Sequence, residues 1–351
     1  LPRIIVNQRN IEFLDKTPST MFPSIPYPAK AYTPYWGPPT ASSDFCEENY
    51  VLTPYMAELI NTITNLNYCL FCYHGLRTLH KQGRLTWMNA SPHIGLLGVG
   101  VFSAGFHITM REWPQLADDM SMVFPTAFIF LRILRFEAAD AKAATRRTVI
   151  FFAILAVIYT IHLNINNPHM HSITFGVGVH YIRKKTFELL ARRIKDDRTR
   201  AHLKKMAIFG GATFAFGFIL WAIDQLACGT LTGAKRAIGM PWSFVLEFHG
   251  WWHIFTGIGA YVFIVLADVL TSTRSEKEAS STVDFGWPAN YIIGNTASVE
   301  IGTDHSNGSV NGALNGSVNG LSKKSVNGTN GVTNGLTNGH SNGSPTVSKK
   351  D

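Results

Sequence analysis

The chain has 351 residues, 46% of them hydrophobic and only 15% charged, which suffices for one large domain or two modest ones and excludes disorder throughout. So small a charged fraction also fits poorly with a nucleic-acid module. Four cysteines exclude a scaffold built from disulfides, and without a second CxxC a structural zinc ribbon is excluded too.

Residues 1–33 read as a flexible N-terminal extension. They hold no positively headed apolar signal peptide; Met21 reads as the true start, and the first apolar run then acts as an uncleaved signal anchor. Near-continuous apolar runs follow at about 55–73, 92–110, 120–136, 147–163, 170–182, 206–223 and 250–271. A helix needs roughly 20 such residues to cross the hydrocarbon core. Most of the runs qualify, while the fifth is short and carries Ser172, Thr174 and His180. The pattern predicts an all-α integral membrane bundle of seven transmembrane helices over 34–272. Gly95, Gly98 and Gly100, like Gly210-Gly211, let helix backbones approach closely.

Loop charge predicts the orientation. The loops after spans one, three and five hold Arg77, Lys81 and Arg84, then Arg132, Arg135, Lys142, Arg146 and Arg147, then ten basic residues from Arg183 to Lys205. The other three loops hold only Arg111, Lys235 and Arg236. This asymmetry places the C-terminus in the cytosol and the N-terminus in a lumen or outside. The formal charge of +8 therefore reflects topology and attraction to anionic lipid, and nucleic acid is not implied. Residues 273–351 are polar and rich in repeated Asn-Gly, a hairpin signal only between alternating apolar runs. Here the pattern predicts a disordered cytosolic tail, whose Asn-x-Ser/Thr triplets at Asn307, Asn315, Asn327 and Asn342 never meet the glycosylating transferase.

Polar residues in or beside membrane helices are costly and mark function. Three groups stand out: Ser103 to His107, followed by Asp118-Asp119; His249-Gly-Trp-Trp-His253; and Asp44-Phe-Cys-Glu47-Glu48-Asn49, with Glu58 just inside span one. Histidines four apart share a helix face and can bind one ion together, or simply pack. The topology puts the end of span two and the start of span seven on the same side, so His107, His249 and His253 can meet. Three protein ligands with an open fourth position are the plan of a catalytic zinc site. Ser103 shares the face of His107, aimed at such an ion or back-bonded to a carbonyl. Asp118 and Asp119, as an acid–base group or a helix cap, are not separated by spacing. The oxygens of Asp44, Glu47, Glu48, Asn49 and Glu58 suit calcium, or form a solvated cap ahead of the helix. His74, His80 and His93 fall on the cytosolic side, and His162, His169, His171 and His180 read as interfacial histidines. Cys69 and Cys72 read as core residues; Cys46 and Cys228 lie in polar segments, free to pair.

Trp36-Gly-Pro-Pro-Thr40, Asp44-Phe-Cys-Glu-Glu-Asn-Tyr50, Ala57-Glu58, Asn61-Thr-Ile-Thr-Asn-Leu66, Ser103 to His107 and Phe248-His-Gly-Trp-Trp-His-Ile-Phe-Thr-Gly257 closely resemble the alkaline ceramidases, especially their fungal branch, from about Pro34 to Thr271. The resemblance implies zinc held by His107, His249 and His253, with Asp118 rather than Asp119 as catalytic aspartate and Ser103 as its serine. It implies calcium bound through Asp44, the carbonyl of Phe45, Glu47, Asn49 and Glu58, and a lumenal disulfide between Cys46 and Cys228. Phe45 stands where many relatives have Trp, a change that a carbonyl ligand tolerates. The implied activity is zinc-dependent cleavage of the ceramide amide, with dihydroceramide and phytoceramide favoured, into a sphingoid base and a fatty acid, or the reverse synthesis. The implied setting is the endoplasmic reticulum or Golgi membrane, with ceramide and membrane lipids as partners and no obligate protein partner. The alternative is a seven-span receptor of the adiponectin-receptor type with a structural zinc; those chains lack the Cys-Glu-Glu-Asn segment. A transporter needs a polar path through the cytosolic half, where intramembrane carboxylates are nearly absent.

Overall fold

The computed structural model describes residues 23–165, 168–274 and 282–294, with backbone alone placed at 165 and 168–171. Met21, the four Asn triplets of the tail and the side chains of His169 and His171 lie outside the described residues. The chain is mainly helical: α1 (Leu59–Thr64), α2 (Leu66–Lys81), α3 (Trp87–Thr109), α4 (Glu112–Ser121), α5 (Val123–Phe136), α6 (Ala141–Ile165), α7 (Pro168–Arg193), α8 (Asp197–Leu226), α9 (Cys228–Ile238), α10 (Phe248–Leu270) and α11 (Ala289–Ile293). Among the described residues there is no strand, only an isolated bridge between Ile25 and Met240.

Three helices are long and apolar enough to cross a membrane: α6, α8 and α10. They play different parts. In the apolar window of α10, 72% of residues are buried, against 6% in α6, so α10 is the axis of the core and α6 its outer wall. Val149, Ile150, Phe152, Ile154 and Val157 of α6 are all exposed. A helix that bares so much apolar surface is solvated by lipid rather than water. Around α10 the chain packs α2, α3, α5, α7 and α8.

Most of the expected runs differ from the helices at their ends, the first and fifth among them. The first, expected over 55–73, becomes helical only at Leu59 and continues to Lys81, because the N–H groups of Ala57 and Glu58 are taken by carbonyls of α3. The fifth, expected over 170–182, runs on to Arg193. Its basic end leaves the apolar layer, and Arg192 and Arg193 favour the negative end of the helix dipole.

Close approach between α8 and α10 depends on glycine. A Cβ added to Gly259 would lie 2.7 Å from the Gly210 carbonyl oxygen, inside contact distance. Gly259→Ala should therefore push the helices apart and cost about 1–3 kcal/mol, read as a lower unfolding temperature in detergent. An unchanged temperature would mean that the two backbones have slack.

Candidate metal centre and its supports

The centre begins at the end of α3. Met110 ends that helix in the left-handed region, at φ 49°, and the carbonyls that a helix end leaves without partners are claimed by the N-terminal strap. Glu58 N–H donates to His107 O at 3.0 Å, Ala57 N–H to Ile108 O at 3.0 Å, and Thr40 N–H to Met110 O at 3.0 Å. This pairing carries the Glu58 side chain under His107. Its Oε2 lies 2.5 Å from His107 Nδ1 and also accepts from Asn61 Nδ2 at 3.0 Å.

From α10, His249 and His253 face His107. The ring centroids are 5.0 Å apart for His107 and each partner and 4.6 Å for His249 and His253. One ligand nitrogen from each ring lies within 4.8 Å of the others, and all three rings are buried. Among the described residues no other trio of histidine, cysteine or carboxylate side chains converges so closely.

Two of the three rings are held by one nitrogen. Glu58 takes His107 Nδ1, and Thr64 Oγ1 lies 3.0 Å from His253 Nδ1. The ring of Phe45 stacks on His249 at 3.6 Å. His107 Nε2 and His249 Nδ1 are buried without a hydrogen-bond partner. Buried polar nitrogens are nearly always satisfied, and imidazoles oriented through their outer nitrogen while the inner one points at a shared space are built for a metal ion. The donor set fits zinc.

Ser103 and Asp118 also come together. Ser103 is buried one turn before His107, and its hydroxyl favours the charged form of the Asp118 carboxyl. Burial pushes the Asp118 carboxyl well above the usual carboxylate range and the charge of Asp119 adds to this, with the Ser103 hydroxyl opposing. Burial also lifts Asp119 to about 7.

The acidic run divides its labour. Both Glu47 oxygens accept helix N–H groups, from Ile60 at 2.7 Å and Asn61 at 2.8 Å, so Glu47 caps α1 from a distance in sequence. Asn49 Nδ2 donates to Asp44 Oδ1 at 3.0 Å, whereas Glu48 turns outward to Arg236. Asn49 Oδ1 and Glu58 Oε1 are buried acceptors without a donor. Cys46 and Cys228 form a disulfide, with Cα atoms 5.1 Å apart.

Three residues around that disulfide carry structure that the sequence reading passed over. Asp224 accepts from Cys46 N–H at 3.0 Å and from His249 N–H at 3.3 Å, tying the acidic loop to the first turn of α10. Lys235 donates to Cys46 O at 2.7 Å and to Glu247 at 2.8 Å, both side chains buried. Asp224 and Glu247 were visible as carboxylates at the ends of apolar runs. Lys235 gave no such signal, because a lone lysine in a polar loop reads as solvated.

Next to the histidines lies an apolar cavity of about 260 Å³. Tyr68, Trp252 and Thr256 line its end nearest the centre, with Tyr68 and Thr256 joined hydroxyl to hydroxyl at 2.7 Å. Leu96, Ile129, Phe175, Phe214 and Phe263 continue it along the bundle.

A family model described as Ceramidase matches residues 37–297, the stretch that holds the histidines, Ser103, Asp118 and the acidic run. The chain belongs to the ceramidase family. It is 30% identical over 256 residues to an alkaline ceramidase of Saccharomyces cerevisiae, covering 68% of this chain and 79% of that one. It is 30% identical over 259 residues to alkaline ceramidase 3 of Mus musculus, covering 73% and 93%. A putative alkaline ceramidase of Dictyostelium discoideum is 27% identical over 256 residues, covering 65% and 85%. This ceramidase-family protein is therefore an enzyme, a hydrolase, with a candidate metal centre of three histidines.

Proposed function

We propose that the protein is a zinc-dependent amide hydrolase that cleaves ceramides, dihydroceramide and phytoceramide foremost, in an endoplasmic reticulum or Golgi membrane. It crosses that membrane seven times, N-terminus lumenal and C-terminus cytosolic. The observation that carries this reading is the convergence of His107, His249 and His253, with Trp252 beside His253 on the wall of an apolar cavity. An acyl chain needs a dry channel and its amide needs a polar end, and the cavity offers both. α3, α5, α7 and the joined α1–α2 lie alongside the three helices long and apolar enough to span, which supports seven crossings.

Zinc at the three histidines would supply a Lewis acid for the amide carbonyl and a water of lowered pKa. The chain's own residues do the rest. Glu58 and Thr64 hold the rings of His107 and His253 in one tautomer and orientation. Asp118 accepts a proton from the attacking water and passes it to the leaving sphingoid nitrogen, so that the C–N bond breaks to a fatty acid and a free amine. Ser103 donates to the oxygen of the tetrahedral intermediate, a contribution typically of about 3 kcal/mol. Since Asp118 handles the proton in both directions, the same site can join acid and amine.

Calcium belongs to this proposal through Asp44, the Phe45 carbonyl, Glu47, Asn49 and Glu58. Its support is the pair of buried acceptors, Asn49 Oδ1 and Glu58 Oε1, that lack a donor. Glu58 would then serve both ions, one oxygen on His107 and the other free for calcium.

Purified protein should release sphingoid base from at least one of ceramide, dihydroceramide and phytoceramide. A chelator should stop the reaction and added zinc restore it. No cleavage of any of the three by metal-loaded protein would overturn the proposal and favour the receptor alternative. The reaction also has an expected pH dependence. A base must be ionised, and the carboxyl of Asp118 is raised, so activity should climb toward alkaline pH. Asp119→Asn removes the neighbouring negative charge and should move the rising limb of kcat/KM to lower pH; a limb that stays put or moves up contradicts the role of Asp118.

A further inference from the structure

The apolar cavity beside the histidines holds one polar feature that the proposed chemistry does not employ. Three side chains on its walls carry a hydroxyl: Thr126, Tyr68 and Thr256. Thr126 donates back to the Met122 carbonyl of its own segment at 3.3 Å. Tyr68 and Thr256 meet across two helices, α2 and α10, with their oxygens 2.7 Å apart. This pair adjoins the candidate metal centre. The Tyr68 ring lies 6.3 Å from that of His253, edge to face. Thr256 follows His253 by three residues, on the same side of α10 and roughly 4.5 Å further along it at 1.5 Å per residue.

Proton count gives the bond its direction. Thr256 Oγ1 donates to the Trp252 carbonyl at 2.5 Å, the back-bond of a helical threonine, so its one proton is committed. Tyr68 is therefore the donor of the 2.7 Å bond. Its own proton is then committed too, while its oxygen keeps the capacity to accept, and among the described residues no donor reaches it. Both residues are buried. Elsewhere the cavity is walled by side chains such as Leu96, Ile129, Phe214 and Phe263, which cannot satisfy a hydroxyl. A lipid chain that brings a hydroxyl into such a space loses its hydration without compensation. A hydroxyl placed against Tyr68 keeps a partner, because it can donate to the phenol oxygen.

We propose, resting on the ceramidase reading above, that Tyr68 is a specificity-determining residue whose phenol oxygen accepts a hydrogen bond from the C4 hydroxyl of a phytoceramide. Depth selects this hydroxyl from the others of the sphingoid chain. With the amide at the histidines, the C1 and C3 hydroxyls sit on carbons bonded to the one that bears the nitrogen, and they stay at the polar end of the site. The C4 hydroxyl is the first to lie further down the chain, as the Tyr68–Thr256 pair lies further along α10 than His253. Dihydroceramide carries only hydrogen at C4 and gains nothing from the contact.

Full-length, metal-loaded protein in detergent is assayed with phytoceramide and dihydroceramide of equal acyl length, and the ratio of their kcat/KM values is the readout. The parent should favour phytoceramide about tenfold, the usual worth of one neutral hydrogen bond. Tyr68→Phe removes only the oxygen and should erase or reverse that preference. Loss of packing alone would slow both lipids equally and leave the ratio at the parent value. Tyr261→Phe is the control: its ring stacks on Phe71 and its hydroxyl donates to the Asp284 carbonyl at 3.4 Å, so the ratio should stay at the parent value. Kd for the free bases 4-hydroxysphinganine and sphinganine, measured on the same proteins, reads the same contact without hydrolysis. Cleavage of neither lipid would overturn the ceramidase reading, whereas a preference for the 4-hydroxylated base that Tyr68→Phe removes would still support the contact. A parent that favours neither the 4-hydroxylated lipid nor its base, or a preference that survives Tyr68→Phe, overturns the proposal.

Discussion

His253→Ala should abolish ceramide hydrolysis, by about a thousandfold or more, in protein that still inserts and folds. The expectation rests on the ring's position. His253 is buried, its Nδ1 is held by Thr64, and its ring lies 5.0 Å from that of His107 and 4.6 Å from that of His249. Loss of one of three ligands takes the metal with it, and with the metal go both polarisation of the carbonyl and activation of water, several kcal/mol of transition-state stabilisation. The side chain is not a packing keystone of comparable weight, since Tyr68, Thr256 and Asn67 brace α10 around it. Glu58→Gln is the graded companion. It keeps a carbonyl acceptor for His107 while removing the charge, and loss of such a partner typically costs about 10–100-fold in metal affinity or activity. Activity and bound metal are measured on the same preparations. Full turnover in His253→Ala would contradict the assignment of the trio.

Asp118→Asn should lower kcat by about 10²–10⁴-fold, the usual range for loss of a general acid–base group, while leaving bound metal at the parent level. Asparagine keeps a polar group facing Ser103 and the shape of the α4 surface, so the change isolates the proton. The pH profile is the discriminating readout. In the parent the acid limb should reflect the raised carboxyl of Asp118. In the variant that limb should disappear from the residual rate. If Asp118→Asn instead lost metal together with activity, Asp118 would be a support of the centre and not its acid–base group.

The sequence was most legible where spacing and topology act together. His249 and His253 announce themselves by the four-residue interval, and the loop charges put His107 at the same depth. The structure brings the three rings within contact of one another. Glu58 shows where such reading stops. As an acidic residue just inside an apolar run it reads as a calcium ligand, but its contact with His107 comes from backbone pairing between the strap and the end of α3, a long-range match that leaves no periodic trace. Glu47 likewise reads only as an oxygen donor for calcium, and its second part, accepting N–H groups of α1 through both oxygens, leaves no trace in the sequence. Helix ends were blurred for a related reason. Apolar content marks the part of a helix that meets lipid or core, and α7 continues as a helix beyond it, where Lys184 and Lys185 pair with Glu188. The cavity was foreseeable only as a need of the substrate, since its walls come from helices far apart in the chain.

X-ray absorption at the zinc edge, on purified, catalytically active protein, is the most direct test of the centre. The account predicts one tightly held zinc per chain with three imidazole nitrogens and a light oxygen donor in its first shell, and no sulfur. Active protein without stoichiometric zinc, or a shell with sulfur or with fewer than three imidazoles, would contradict it.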